Sequence, residues 1–190
     1  MKAFAIAALG LLAAAPASAD HIGLYADPNG LSCVAPLLPA PTLNVVYAIN
    51  ENGTGTTGSK WRISHDVSLV SVSFTLTNPY LPIVPIGDPL TFGTTVWYLV
   101  CRASPYVIGQ VGFLYFGGPV AGCDHLRVEA HQGDPWYAAE ATVVVADCAD
   151  VKQVATGGRF SFDATGACDS CGGPLPVQST TWGAVKSLYR

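Results

Sequence analysis

The sequence predicts an all-β protein: an antiparallel β-sandwich, immunoglobulin-like or jelly-roll-like, finished by a short C-terminal helix. Three observations predict it. Val70-Ser-Val-Ser-Phe-Thr-Leu-Thr77 alternates strictly between apolar and hydroxylated residues, which marks a strand with one buried and one wet face. Tyr106–Phe116 is apolar on both parities, as expected of a strand placed centrally in a sheet. Turn formers separate such segments, at Asp27-Pro-Asn-Gly30, Gly53–Gly58, Asn78-Pro79, Gly87-Asp-Pro89 and Gly133-Asp-Pro135.

Taken in chain order, the first element is not part of the fold. Lys2, the apolar run Ala3–Ala15 and the small-residue site Ala17-Ser18-Ala19 follow the order of a cleavable export signal. The predicted organisation is a signal peptide over 1–19, a single β-sandwich domain over 20–178 and an amphipathic tail over 179–190. The mature protein is then exported, to the periplasm, the cell surface or the outside. The apolar part of the leader is too short to span a bilayer, and no later run is long enough.

The predicted strands are His21–Tyr25, Leu43–Ile49, Lys60–Ser64, Val70–Thr77, Thr94–Cys101, Tyr106–Phe116, Leu126–His131, Thr142–Asp147 and Arg159–Asp163. Gly109 and Gly112 inside the central strand predict a bulge or a close backbone approach. Residues 51–59, rich in Gly and Thr, read as a hairpin loop. Leu126–His131 and Glu140–Asp147 are expected to pair as a hairpin. The register that sets Leu126 opposite Val145, Val128 opposite Val143 and Ala130 opposite Ala141 gives one apolar face. It also brings Cys123 beside Cys148, so a Cys123–Cys148 disulfide is expected.

Six cysteines in an exported chain pair evenly. With Cys123 and Cys148 joined, the simplest remainder is Cys33–Cys101 and Cys168–Cys171. Sequence alone permits fifteen connectivities. Cys168-Asp-Ser-Cys171 also has the spacing of a redox pair or half a metal site, without a second C-x-x-C to complete it. The last ten residues, Thr181–Arg190, place Trp182, Val185, Leu188 and Tyr189 on one side of a helix. That face either packs on the domain or serves as a recognition tail.

Composition bounds the function. Half of the residues are hydrophobic and 12% are charged, enough apolar material for a sizeable core. The net charge is −4 and no Lys/Arg cluster occurs, which argues against nucleic acid as a partner. No G-x-S-x-G elbow and no phosphate loop are present. Asp124, His125, His131 and Asp134 form the densest polar cluster. They match no metal-ligand spacing, and no metal or cofactor is implied. Asn52-Gly-Thr54 has the glycosylation pattern. Trp136 and Tyr137, after a turn, could offer a stacking platform for a sugar.

Several stretches taken together carry a resemblance. They are Ile22-Gly-Leu-Tyr-Ala-Asp-Pro-Asn-Gly-Leu-Ser-Cys33, Cys101-Arg-Ala-Ser-Pro105, Cys123 ahead of Leu126-Arg-Val-Glu-Ala-His131, Val143-Val-Val-Ala-Asp-Cys148, and the Thr181-Trp-Gly-Ala-Val-Lys-Ser-Leu-Tyr-Arg190 ending. The chain resembles a group of uncharacterised bacterial secreted proteins, small and β-rich, with a similar ending. The resemblance implies no particular activity, ligand or catalytic residue. The expected function is a non-catalytic domain with a binding, adhesion or envelope-structural role toward a protein or glycan surface. The alternative is a secreted hydrolase with a loop-built site near Asp124, His125 and His131.

Overall fold

A computed structural model describes residues 20–36, 39, 41–65, 69–76, 84–116, 123 and 125–162. Twelve strands run through them: β1 (His21–Tyr25), β2 (Val34–Ala35), β3 (Thr42–Glu51), β4 (Thr56–His65), β5 (Leu69–Leu76), β6 (Val84–Asp88), β7 (Gly93–Arg102), β8 (Tyr106–Tyr115), β9 (Leu126–Glu129), β10 (Val143–Ala146), β11 (Lys152–Gly157) and β12 (Arg159–Phe162). The described part is all-β. The expected signal peptide, Asp124, Cys168, Cys171 and the expected C-terminal tail lie outside the described residues.

One layer has the order β5-β8-β3-β1 and the other β6-β7-β4-β10-β11. A short parallel pairing of β11 with β1 joins them, so the sandwich is one sheet folded over on itself. β9, β12 and β2 extend the second layer, β12 and β2 pairing in parallel. The layers meet through rings: His65 of β4 lies edge-on to Phe113 of β8 at 5.7 Å, and Tyr98 of β7 to Tyr106 of β8 at 5.1 Å. Trp61, Phe113, Phe160, Ile22, Leu24 and Ile63 are buried between them. Each side chain of that size contributes roughly 1.5–3 kcal/mol by leaving water.

β8 is central, flanked by β3 and β5, as its two apolar parities require. Its glycines mark irregularities. The pairing with β3 shifts beside Gly109, and the pairing with β5 shifts beside Gly112. β4 begins at Thr56, four residues before the predicted start, so half of the expected hairpin loop is strand. Ser59, Trp61 and Ile63 point inward from it and are buried.

The expected β9–β10 hairpin does not form. The chain does close where that register predicted, with Glu140 N–H donating to His131 O at 2.8 Å. The two strands then part, because the ten-residue β4 offers each a longer partner. β10 pairs with Gly58–Lys60 and β9 with Arg62–His65. Both lie on the β4 edge away from β7: Ile63 N–H turns from Val128 and donates to Pro89 O in the β6–β7 turn at 2.6 Å. The predicted inward residues Leu126, Val128, Val143 and Val145 are nonetheless buried.

The disulfide pairing is corrected with it. Cys101 bonds to Cys148, with Cα atoms 5.1 Å apart, so neither Cys123–Cys148 nor Cys33–Cys101 forms. The cause is β4, which separates β7 from β10. Cys101 lies one residue before the end of β7 and Cys148 follows β10, on opposite edges of β4, and the bridge crosses at Gly55. A Cβ on Gly55 would stand 2.7 Å from Cys148 Sγ and 3.0 Å from Cys101 Sγ. Cys33 and Cys123 are also disulfide-bonded. Both of their carbonyls accept from Ser161, Cys33 from its N–H at 3.0 Å and Cys123 from its hydroxyl.

Candidate functional site

Of the polar residues singled out by sequence, His131 and Asp134 come together and His125 lies apart. Asp124 lies outside the described residues. His125 and His131 are six residues apart along an extended segment, about 20 Å. Both rings are buried. His125 Nδ1 accepts from Phe162 N–H at 2.8 Å, and its ring stacks on Phe162 at 6.2 Å. His131 Nδ1 accepts from Gly133 N–H at 2.9 Å, which leaves the ring proton on Nε2, 3.3 Å from Asp134 Oδ2.

Each partner of that pair serves the loop. Asp134 Oδ1 accepts from Trp136 and Tyr137 N–H, both at 2.7 Å. Burial would raise its carboxyl, but those N–H groups and His131 hold it below the ordinary carboxylate range. Burial and the Lys60 charge push the His131 imidazole down, against the pull of Asp134. A neutral ring with both nitrogens inside the fold has no position from which to take a proton from substrate. A shallow depression of about 570 Å³ touches His131 but not His125, and its Arg62 and Glu129 are paired with each other.

Two further sequence features resolve as structure. Asn52 is buried, and its Oδ1 accepts from Thr54 N–H at 2.9 Å and Thr54 Oγ1 at 3.0 Å. The glycosylation pattern is thus a surface turn whose Asn52 side chain folds inward, with Gly53 and Thr54 exposed. His21, also buried, shares a 2.9 Å hydrogen bond between Nδ1 and Thr156 Oγ1. Burial depresses its imidazole to about 4, against a hydrogen bond with the Thr156 backbone. Among the described residues, no group of three or more His, Cys, Asp and Glu is placed to hold a metal ion. Nor is any helix there long and apolar enough to cross a membrane.

The outer face of the β7-β4-β10-β11 layer is different. Register sets Trp97, Gly58, Ala146 and Lys152 in one outward row, and Thr95, Lys60, Val144 and Val154 in the next. Outward faces of such sheets are ordinarily polar. Here Trp97 is 47% exposed, Leu99 66% and Val154 70%. Gly58 makes the notch: a Cβ there would meet Val96 O at 3.0 Å and Trp97 Cε3 at 3.4 Å, so the indole leans over bare backbone. The result is a groove of about 250 Å³ lined by Trp97, Tyr137, Thr95, Val144, Ala146 and charged side chains.

Those charges form a network. Lys60 Nζ donates to Ala138 O at 2.6 Å, lies 3.3 Å from Glu140 Oε1 and sits 5.3 Å from the Tyr137 ring centroid. Lys152 Nζ reaches Glu140 Oε2 at 2.5 Å. Burial would raise the Glu140 carboxyl, but the bonds from Lys152 and Lys60 outweigh it and hold the group ionised. Tyr137, one of the two aromatics expected to form a platform, is in this groove. Trp136 is 81% exposed and is not among its lining residues. Sequence missed Trp97, because Val96, Trp97 and Tyr98 are all large and parity alone does not say which faces out.

No protein-family model matches the chain, and no curated protein matches it. Among solved structures it is similar to the cohesin module from the Clostridium perfringens family 33 glycoside hydrolase. The identity is 8% and the TM-score 0.49, over 77% of this chain and 98% of that one. It is also similar to a chain of a type I cohesin–dockerin complex from Clostridium thermocellum, at 11% identity and a TM-score of 0.48, over 76% and 99%. A third is the seventh ScaB type I cohesin from Pseudobacteroides cellulosolvens, at 9% identity and a TM-score of 0.44, over 77% and 93%.

Proposed function

We propose that this chain is an exported, non-catalytic β-sandwich module that binds a surface partner through the outer face of the β7-β4-β10-β11 layer. One observation carries the reading: Trp97 is 47% exposed and Val154 70% on a sheet face whose register would ordinarily set polar residues there, and Leu99, two residues along β7 from Trp97, is 66% exposed. A patch of that kind costs solubility and is retained where something covers it. The leader sequence and the Cys101–Cys148 bridge support a place outside the cytoplasm, at the envelope or beyond it.

The test is fractionation of producing cells. The wild-type protein is expected in the envelope fraction, and a Trp97→Glu/Leu99→Glu variant in the soluble exported fraction. Both positions are exposed, so the variant keeps the wild-type unfolding midpoint. An equal distribution of the two proteins, bound or soluble, contradicts the reading.

A further inference from the structure

We propose that the groove beside Trp97 holds a neutral sugar ring within an oligosaccharide chain, stacked on the indole and hydrogen-bonded by Glu140 and Lys152. This names the ligand class for the binding face described above and rests on that reading.

A pyranose has an apolar C–H face and a rim of hydroxyls, so its site needs an open aromatic surface next to groups that both donate and accept. The indole of Trp97 is 47% exposed and leans over Gly58, which leaves its outer side free. Glu140, kept ionised by two lysines, supplies acceptor lone pairs. The Lys152 side chain is 61% exposed, and one bond to Glu140 leaves its ammonium two donors. Thr95 lines the floor of the groove and is 5% exposed, so it contributes shape there and no hydrogen bond to a ligand.

Charge and size select among ligands. Lys60 and Lys152 balance Glu140 and Asp150 around the groove, so no net field recruits an anion or a cation. The groove measures about 250 Å³, below the range that drug-sized ligands occupy. The neighbouring depression of about 570 Å³ shares Glu140 with it, which lets a chain continue along the face. An apolar protein side chain placed here would strip water from the Lys60–Glu140–Lys152 network without replacing its hydrogen bonds. Sugar hydroxyls replace them.

The test is NMR titration of the 15N-labelled mature protein with four probes: cellohexaose, xylohexaose, mannohexaose and chitohexaose. At least one is expected to shift the Trp97 indole N–H saturably, with backbone shifts confined to β4, β7, β10 and β11. Trp97→Ala and Glu140→Gln should each weaken that oligosaccharide at least tenfold. Trp136→Ala, outside the groove, should leave it unchanged. Absence of a Trp97 shift with all four probes overturns the ligand class. If envelope partition still depends on Trp97 and Leu99 in that event, the binding face stands and only the sugar assignment falls. Saturable shifts that survive Trp97→Ala overturn the site.

Discussion

Replacing Gly55 by alanine is expected to destabilise the protein through two separable effects. Gly55 has φ +82°, where a Cβ costs about 1–2 kcal/mol. That Cβ would also stand 2.7 Å from Cys148 Sγ, 2.8 Å from Arg102 O and 3.0 Å from Cys101 Sγ. Overpacking of this kind costs about 1–3 kcal/mol. Gly55→Ala should therefore lose about 2–5 kcal/mol. Two of the three close contacts are disulfide sulfurs. In a Cys101→Ala/Cys148→Ala background they vanish, while the dihedral cost and the Arg102 carbonyl remain. The same substitution should then cost about 1–2 kcal/mol less, a coupling typical of residues in contact. The bridge itself spans a sequence separation of 47, worth about 4 kcal/mol in chain entropy. Urea unfolding of all four proteins, in one fixed concentration of a stabilising osmolyte, measures each term. A Gly55→Ala loss below about 0.5 kcal/mol, or an equal loss in both backgrounds, refutes the crossing of the bridge over Gly55.

Three other outcomes are expected. Non-reducing peptide mapping should recover Cys101 with Cys148 and Cys33 with Cys123, the pair that flanks Ser161; a Cys123–Cys148 peptide contradicts the strand order. The depressed His21 imidazole, at about 4 against 6.5 for an ordinary ring, binds its proton later in the folded than in the unfolded chain. Stability is thus full above pH 6.5 and falls by roughly 3 kcal/mol as pH drops to 4; subtraction of the His21→Gln curve isolates that loss, and parallel curves contradict the burial. Arg102 has Nε and Nη2 buried without hydrogen-bond partners, its guanidinium 5.6 Å from the Tyr106 ring. Arg102→Met should leave the unfolding midpoint unchanged or raise it, whereas a drop worth more than about 1 kcal/mol shows that the charge is satisfied.

Much of the fold was legible because period-two patterns are local. Leu126, Val128, Val143 and Val145 were placed on the buried side by parity alone, and they are buried although their strands do not pair with each other. Pairing partners were not legible, because β4 competes for both strands from some 70 residues away in the chain. The cysteine assignment failed for the same reason. β6 was unread since Pro85 and Gly87 look like loop; among the described strands it pairs only with β7, at a position where a missing N–H is tolerated. β11 escaped because Lys152–Gly157 has no clean alternation. The candidate site was half legible. Tyr137 was singled out, but the notch depends on Gly58 lying beneath Trp97 across two strands, which only register shows.

The most direct test is co-sedimentation of the purified mature protein with isolated envelopes of the producing cells. Trp97→Ala should lower the bound fraction at least tenfold, and Trp136→Ala, although 81% exposed, should leave it unchanged. Equal binding by Trp97→Ala and wild type, or a larger loss in Trp136→Ala, contradicts the placement of the binding surface on the β7-β4-β10-β11 face.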